Sequence, residues 1–124
     1  MTMQDSISIA RKSGPLPQAD GTNLFEFQFD AGDPTFAGHF PGRPILPGVY
    51  QLELARVAAG MILDCALKIA EIRKAKFQRP ILPGEAVRVA LKLLENNGTI
   101  EVRANFSVDG QAAGETTLFL CREK

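Results

Sequence analysis

The segment Gly48–Cys65, with the sequence GVYQLELARVAAGMILDC, limits the possible folds of this 124-residue chain more than any other. It predicts one long helix that begins just after Pro47. Apolar residues occur almost all round that helix: Val49, Leu52, Leu54, Ala55, Val57, Ala58, Met61, Ile62 and Leu63. A helix that is hydrophobic on every face is a buried helix. The rest of the chain must therefore supply a surface that surrounds it.

Strand-like segments lie on both sides of this helix. Ser6–Lys12 and Leu24–Asp30 alternate with period two, which is typical of half-buried strands. Four more strands are predicted after the helix, with Asn-Gly and Asp-Gly turns before the last two: Leu67–Phe77, Ala86–Leu94, Thr99–Val108 and Gln111–Arg122. This order predicts an α+β fold in a single domain over residues 1–124. We expect an antiparallel six-stranded sheet wrapped round one long central helix, with the last four strands in meander order.

Charge and cysteine usage argue against several classes of function. Lys and Arg (14 together) balance Asp and Glu (14), so no bulk charge favours a nucleic-acid partner. Cys65 and Cys121 are far apart and near no histidine, so we expect reduced thiols packed as small hydrophobes. No run approaches the roughly 18 apolar residues of a membrane span, and the N-terminus lacks a signal-peptide core. These features predict a cytoplasmic protein without a membrane span.

The segment from Ala31 to Pro47, AGDPTFAGHFPGRPILP, breaks both periodicities. Its four prolines and three glycines exclude a helix and a paired strand. It also carries Phe36, Phe40 and Ile45, which make it too apolar for a disordered linker. We therefore predict an ordered loop that packs on the core, and a loop of this length is usually functional.

Two side chains bring possible chemistry to this region. His39 is the one histidine of the chain, and Glu53 lies about one and a half turns into the predicted helix. Three groups can together remove a proton next to a carbonyl and eliminate a β-hydroxyl: an imidazole, the backbone N–H groups at a helix start by Gly48, and a carboxylate in an apolar wall. Each residue also has an ordinary explanation. His39 can be a turn residue, and Glu53 can pair with Arg56 three positions on.

The stretch FAGHFPGRPILPGVYQLELA resembles the signature of the bacterial 3-hydroxyacyl-[acyl-carrier-protein] dehydratases, which have the hot-dog fold. A second stretch, KFQRPILPGE from Lys76 to Glu85, resembles another motif of that family. The resemblance extends from about Pro34 to Arg122. It implies reversible dehydration of a (3R)-hydroxyacyl thioester to the trans-2-enoyl thioester, in fatty-acid or polyene-like and polyketide-like biosynthesis.

The same resemblance implies roles for individual residues. His39 and Glu53 correspond to the catalytic pair, and the Gly48 N–H corresponds to the donor to the thioester carbonyl. Phe40, Pro47 and Val49 are expected beside the bound substrate. The family uses acyl carrier protein with a phosphopantetheine arm, and no cofactor or metal. The resemblance also implies a homodimer, alone or within a higher oligomer, in which the histidine of one subunit works with the carboxylate of the other.

The chain departs from the larger housekeeping members of that family. They begin with a helix-forming segment where we expect only a strand, and they usually have Gln at the position of Val57. The short form is more similar to the stand-alone thioester dehydrases of aryl-polyene-type gene clusters. Two other functions stay open: a hot-dog acyl thioesterase, in which Glu53 would hold a water, and a non-catalytic acyl-binding module. Whether Glu53 protonates the leaving hydroxyl or only positions it is also undecided by sequence.

Overall fold

The computed structural model describes residues 2–33, 36 and 45–123, which form two helices and six strands. These are α1 (Met3–Ala10), β1 (Arg11–Pro17), β2 (Asn23–Gln28), α2 (Gly48–Leu63), β3 (Leu67–Phe77), β4 (Ala86–Asn96), β5 (Thr99–Val108) and β6 (Gln111–Arg122). The strands form one sheet in the order β1-β2-β4-β5-β6-β3, and every neighbouring pair is antiparallel. The predicted sheet round a central helix is confirmed.

The predicted meander order is correct for β4, β5 and β6 and wrong for β3. β4, β5 and β6 are neighbours in chain order, but β3 pairs with β6, from Leu67 opposite Arg122 to Phe77 opposite Gly114. The segment QRPILPGE between β3 and β4 is too long and too rich in proline for a tight hairpin. Gln78 and Arg79 both donate their backbone N–H to the Ala113 carbonyl, which carries the pairing with β6 beyond the end of β3. β3 therefore lies at one end of the sheet and β1 at the other.

The core lies between α2 and the concave face of the sheet. Alternate residues of the strands point to the helix and are almost fully buried, among them Phe25, Phe27, Val87, Val89, Leu91, Ile100, Val102, Leu118 and Leu120. Phe29 is buried just beyond β2, so the alternation predicted for this region is confirmed. Phe36, in the predicted loop, is also buried at 7% exposure.

The helix α2 is buried on one side only within a single chain. Leu54, Ala55, Ala58 and Ala59 are each 0% exposed, while Val49 is 51% exposed. Leu52 and the last turn of the helix are half-buried. The helix ends at Leu63, two residues before the predicted end, because Asp64 adopts the left-handed conformation (φ 54°) as its C-cap. Among the residues that the structure describes, the apolar side chains on the other side of α2 therefore remain half-buried or exposed.

The N-terminal strand prediction, Ser6–Lys12, is wrong. The segment is helical as far as Ala10, and β1 extends from Arg11 to Pro17. Thr2 starts α1 with a capping box, in which its hydroxyl accepts from Asp5 N–H (3.1 Å) and its own N–H donates to the Asp5 carboxylate (2.8 Å). Ile7 is 0% exposed and Ile9 is 63% exposed, so helical spacing decides which side chain is buried.

Two smaller expectations concern the cysteines and the membrane. Cys65 and Cys121 are free and half-buried. Among the described residues no helix has both the length and the hydropathy to cross a membrane.

Candidate active site

The start of α2 lies between the two Pro-Ile-Leu-Pro-Gly segments of the chain. Leu46 N–H in the first segment donates to the Ile81 carbonyl in the second (2.8 Å), and both side chains are buried, at 3% and 1% exposure. Pro47 is the N-cap of the helix and has extended backbone geometry. The second motif thus fixes the position at which the helix begins and at which its first N–H groups emerge.

An ion pair closes the second motif. Arg79 donates two hydrogen bonds to the Glu85 carboxylate (3.0 and 3.3 Å), and Leu82 N–H donates a third (2.7 Å). The bonds from Arg79, and then the one from Leu82, hold the pKa of the Glu85 carboxyl below its ordinary value. Both side chains are less than one-third exposed. The family-like Glu at the end of the motif is therefore a structural residue of the turn.

Gly48 packs against the ring of Phe77. A Cβ at position 48 would lie 2.8 Å from Cε2 of the Phe77 ring, which is closer than real Cβ atoms approach. The helix start and β3 therefore pack closely there, and beside them a cavity of about 300 Å³ opens between Gly48, Gln51, Phe77 and Arg79. An N–H group at a helix N-terminus facing a cavity can donate to an oxyanion.

Gln51 in this cavity wall was not singled out by sequence reasoning. It is 2% exposed, and its Oε1 atom is buried without a hydrogen-bond donor among the described residues. The carboxamide fits only because β6 has a glycine opposite it, since a Cβ on Gly114 would lie 2.6 Å from Oε1. The available signal in the sequence was a polar residue about one turn into a helix whose residues are mostly apolar.

Glu53 lies in a different cavity, of about 750 Å³, between α1, the second half of α2 and the start of β3. Its side chain is 26% exposed and forms an ion pair with Arg56. The ordinary explanation considered for Glu53 is therefore part of its actual environment. Val57, where the larger dehydratases have Gln, also lines this cavity.

Within one chain the structure separates Gly48 from Glu53. Five helical residues turn the chain by about 140° beyond one full turn and advance it by about 7.5 Å. The two cavities accordingly share no lining residue. Of the other predicted site residues, Pro47 and Val49 flank Gly48 without lining the 300 Å³ cavity. His39 and Phe40 fall outside the described residues.

The sequence matches one family model over most of its length. The ApeI-like family, described as ApeI dehydratase, is matched over residues 17–116, a range that includes both motifs, Gly48 and Glu53. The chain belongs to this family. The resemblance found in the two motifs is thereby confirmed.

Relatives of the ApeI-like chain include proteins named 3-hydroxyacyl-[acyl-carrier-protein] dehydratase FabZ. This chain is 36% identical to the FabZ protein of Granulibacter bethesdensis over 97 residues, which cover 70% of this chain and 57% of the relative. It is also 36% identical to that of Mannheimia succiniciproducens over 102 residues, covering 73% and 66% of the two chains. The chain thus spans only about three-fifths of the length of these relatives.

Solved structures agree with the predicted hot-dog fold. The dehydratase heterocomplex ApeI:P from Xenorhabdus doucetiae contains a chain that is 27% identical, with a TM-score of 0.71 over 89% of this chain and 100% of that one. An acyl-CoA hydrolase from Staphylococcus aureus is 14% identical, with a TM-score of 0.63 over 88% of this chain and 68% of that one. The second likeness concerns the fold alone.

Proposed function

We propose that this ApeI-like chain is a dehydratase acting as a single hot-dog domain over residues 1–124. Its substrate is a (3R)-hydroxyacyl thioester on the phosphopantetheine arm of acyl carrier protein, and its products are the trans-2-enoyl thioester and water. The observation that carries the proposal is the family match over residues 17–116, which spans both motifs and the start of α2. The names of the FabZ relatives agree with the same substrate class.

The proposed reaction uses three groups. Gly48 N–H donates to the thioester carbonyl, which stabilises the enolate that forms when His39 removes the C2 proton. An unperturbed imidazole has a pKa of about 6.5, so it can take and return a proton near neutral pH. The C3–O bond then breaks and the hydroxyl leaves as water, with its second proton supplied either by Glu53 directly or by His39 while Glu53 positions the hydroxyl. Proton transfer and one amide donor suffice for this chemistry, so we propose no cofactor and no metal.

The proposal includes a homodimer with two shared sites, alone or within a higher oligomer. It is supported by the separation of Gly48 and Glu53 into two cavities, because a substrate at one would not reach the other within a chain. It is further supported by apolar residues in need of cover: Val49 on α2 and Ile72 and Phe77 on the end strand β3 are about half exposed. Antiparallel pairing of two β3 strands across a two-fold axis would cover such an edge.

We therefore propose two partners, a second copy of the chain and an acyl carrier protein. We propose that they meet in the cytoplasm and that nucleic acid is not a partner. Because the related Xenorhabdus structure is a heterocomplex, the mass of the purified protein is part of the test. A stable monomer would contradict the shared site.

The reaction class is tested by giving the protein two substrates in parallel. A 3-hydroxyacyl thioester on acyl carrier protein is followed by the absorbance of the enoyl thioester, and a saturated acyl thioester is followed with a thiol reagent. We expect enoyl product from the first and no free thiol from the second. His39→Ala and Glu53→Ala should each retain the fold and lose dehydration by about 100-fold or more. Rapid thiol release without enoyl product would instead favour the acyl thioesterase.

A further inference from the structure

Arg56 connects Glu53 to two other elements of the fold. Its Nε donates to Glu53 Oε2, its Nη1 donates to the Leu67 carbonyl at the start of β3 (2.9 Å), and its Nη2 reaches Gln4 Oε1 on α1 (3.4 Å). The Arg56 side chain is only 18% exposed. A planar guanidinium held at three points has little freedom to turn. It therefore fixes the carboxylate more firmly than an exposed i,i+3 pair would.

This fixation leaves the two carboxylate oxygens of Glu53 in different situations. Oε2 accepts from Arg56, whereas Oε1 accepts no hydrogen bond from any residue in the described part of the chain. The side chain is 26% exposed and borders the 750 Å³ cavity. One oxygen is thus held by the protein and the other is available to a ligand. A carboxylate oxygen placed in this way can accept a hydrogen bond from a hydroxyl group of a ligand.

We propose that Arg56 is a positioning residue that presents Glu53 as a hydrogen-bond acceptor for the departing hydroxyl. This inference rests on the proposed dehydratase function and decides between the two roles left open for Glu53. His39 takes the C2 proton, the C3–O bond breaks, and the same proton returns from His39 to the leaving oxygen, which departs as water. Glu53 accepts a hydrogen bond from the hydroxyl throughout and ends the reaction with its charge unchanged.

The test compares Arg56→Gln and Arg56→Lys with wild type by kcat, KM and thermal unfolding. Arg56→Gln should lower kcat by about 10- to 100-fold with KM little changed, since misplacing a catalytic group costs about that much. Lys retains a charge and a donor but lacks the planar fork needed to hold Glu53 and the Leu67 carbonyl together. Arg56→Lys should therefore fold and recover part of kcat. Arg103→Gln is the matched control, because it breaks an exposed pair with Glu101 (2.7 Å) elsewhere on the sheet.

The outcomes separate this inference from the proposed function. If Glu53→Ala is inactive while both Arg56 variants that fold keep wild-type kcat, Arg56 only ties α1 to α2, and the inference is overturned alone. If Glu53→Ala keeps wild-type turnover, the role of the carboxylate and the inference fail together. A lower kcat for Arg56→Lys, with KM and thermal stability near those of wild type, supports positioning.

Discussion

At the residue scale, the site depends on where glycine allows a close approach. Gly48 meets the Phe77 ring and begins the helix whose N–H groups we assign to the thioester carbonyl. Sequence reasoning predicted Gly48 and Glu53 as site residues, and it also considered the Glu53–Arg56 pair as an ordinary alternative. Those two interpretations of Glu53 are compatible, because a paired carboxylate can still offer its second oxygen. Gln51 was missed as a site residue because hydrophobic periodicity locates only the apolar positions. It does not show that a glycine on another strand leaves room for a polar side chain.

Gly48→Ala tests the residue-scale argument. The added Cβ would approach the Phe77 ring at 2.8 Å, and it would narrow the path to the backbone N–H. Phe77 is 50% exposed and can turn away, so the unfolding free energy should change by only about 1 kcal/mol. kcat/KM for dehydration should fall by about 10-fold or more, because an oxyanion donor becomes less accessible. Gly32→Ala, where a Cβ would meet nothing within 4 Å, is the matched control. Unchanged activity in Gly48→Ala would remove Gly48 from the site.

At the element scale, most of the fold was predictable and the exceptions have clear physical causes. The bounds of β3, β5 and β6 agree with the prediction to the residue, because long alternating segments between strong turn signals are unambiguous. The N-terminus was misread because SISIA is short, and its two isoleucines alternate with serine as in a strand. The neighbour of β3 was also misread, since a strand pattern does not specify which strand lies beside it across a long connection.

Paired alanine substitutions test the assignment of α1. In a strand, Ile7 and Ile9 would lie on the same face and their loss would cost similar amounts. In the observed helix Ile7 is 0% exposed and Ile9 is 63% exposed. Ile7→Ala should therefore lower the unfolding free energy by about 2–4 kcal/mol, and Ile9→Ala by less than about 0.5 kcal/mol. Equal losses in urea unfolding would favour the strand.

At the scale of the whole molecule, one chain places Gly48 and Glu53 in two separate cavities. α2 separates Gly48 from Glu53, its outer side is half-buried, and the end strand β3 exposes Ile72 and Phe77. The sequence predicted that α2 is apolar on nearly all faces. The sheet covers one side of the helix, and we propose that a partner chain covers the other.

Subunit complementation tests the shared site most directly. His39→Ala and Glu53→Ala chains, carrying different tags, are unfolded, mixed in equal amounts and refolded together, and heterodimers are verified by mass. Each heterodimer rebuilds one intact pair, so random mixing should restore about a quarter of wild-type dehydration, while each variant refolded alone stays inactive. Verified heterodimers without any recovered activity would contradict the shared site, even if both residues proved essential.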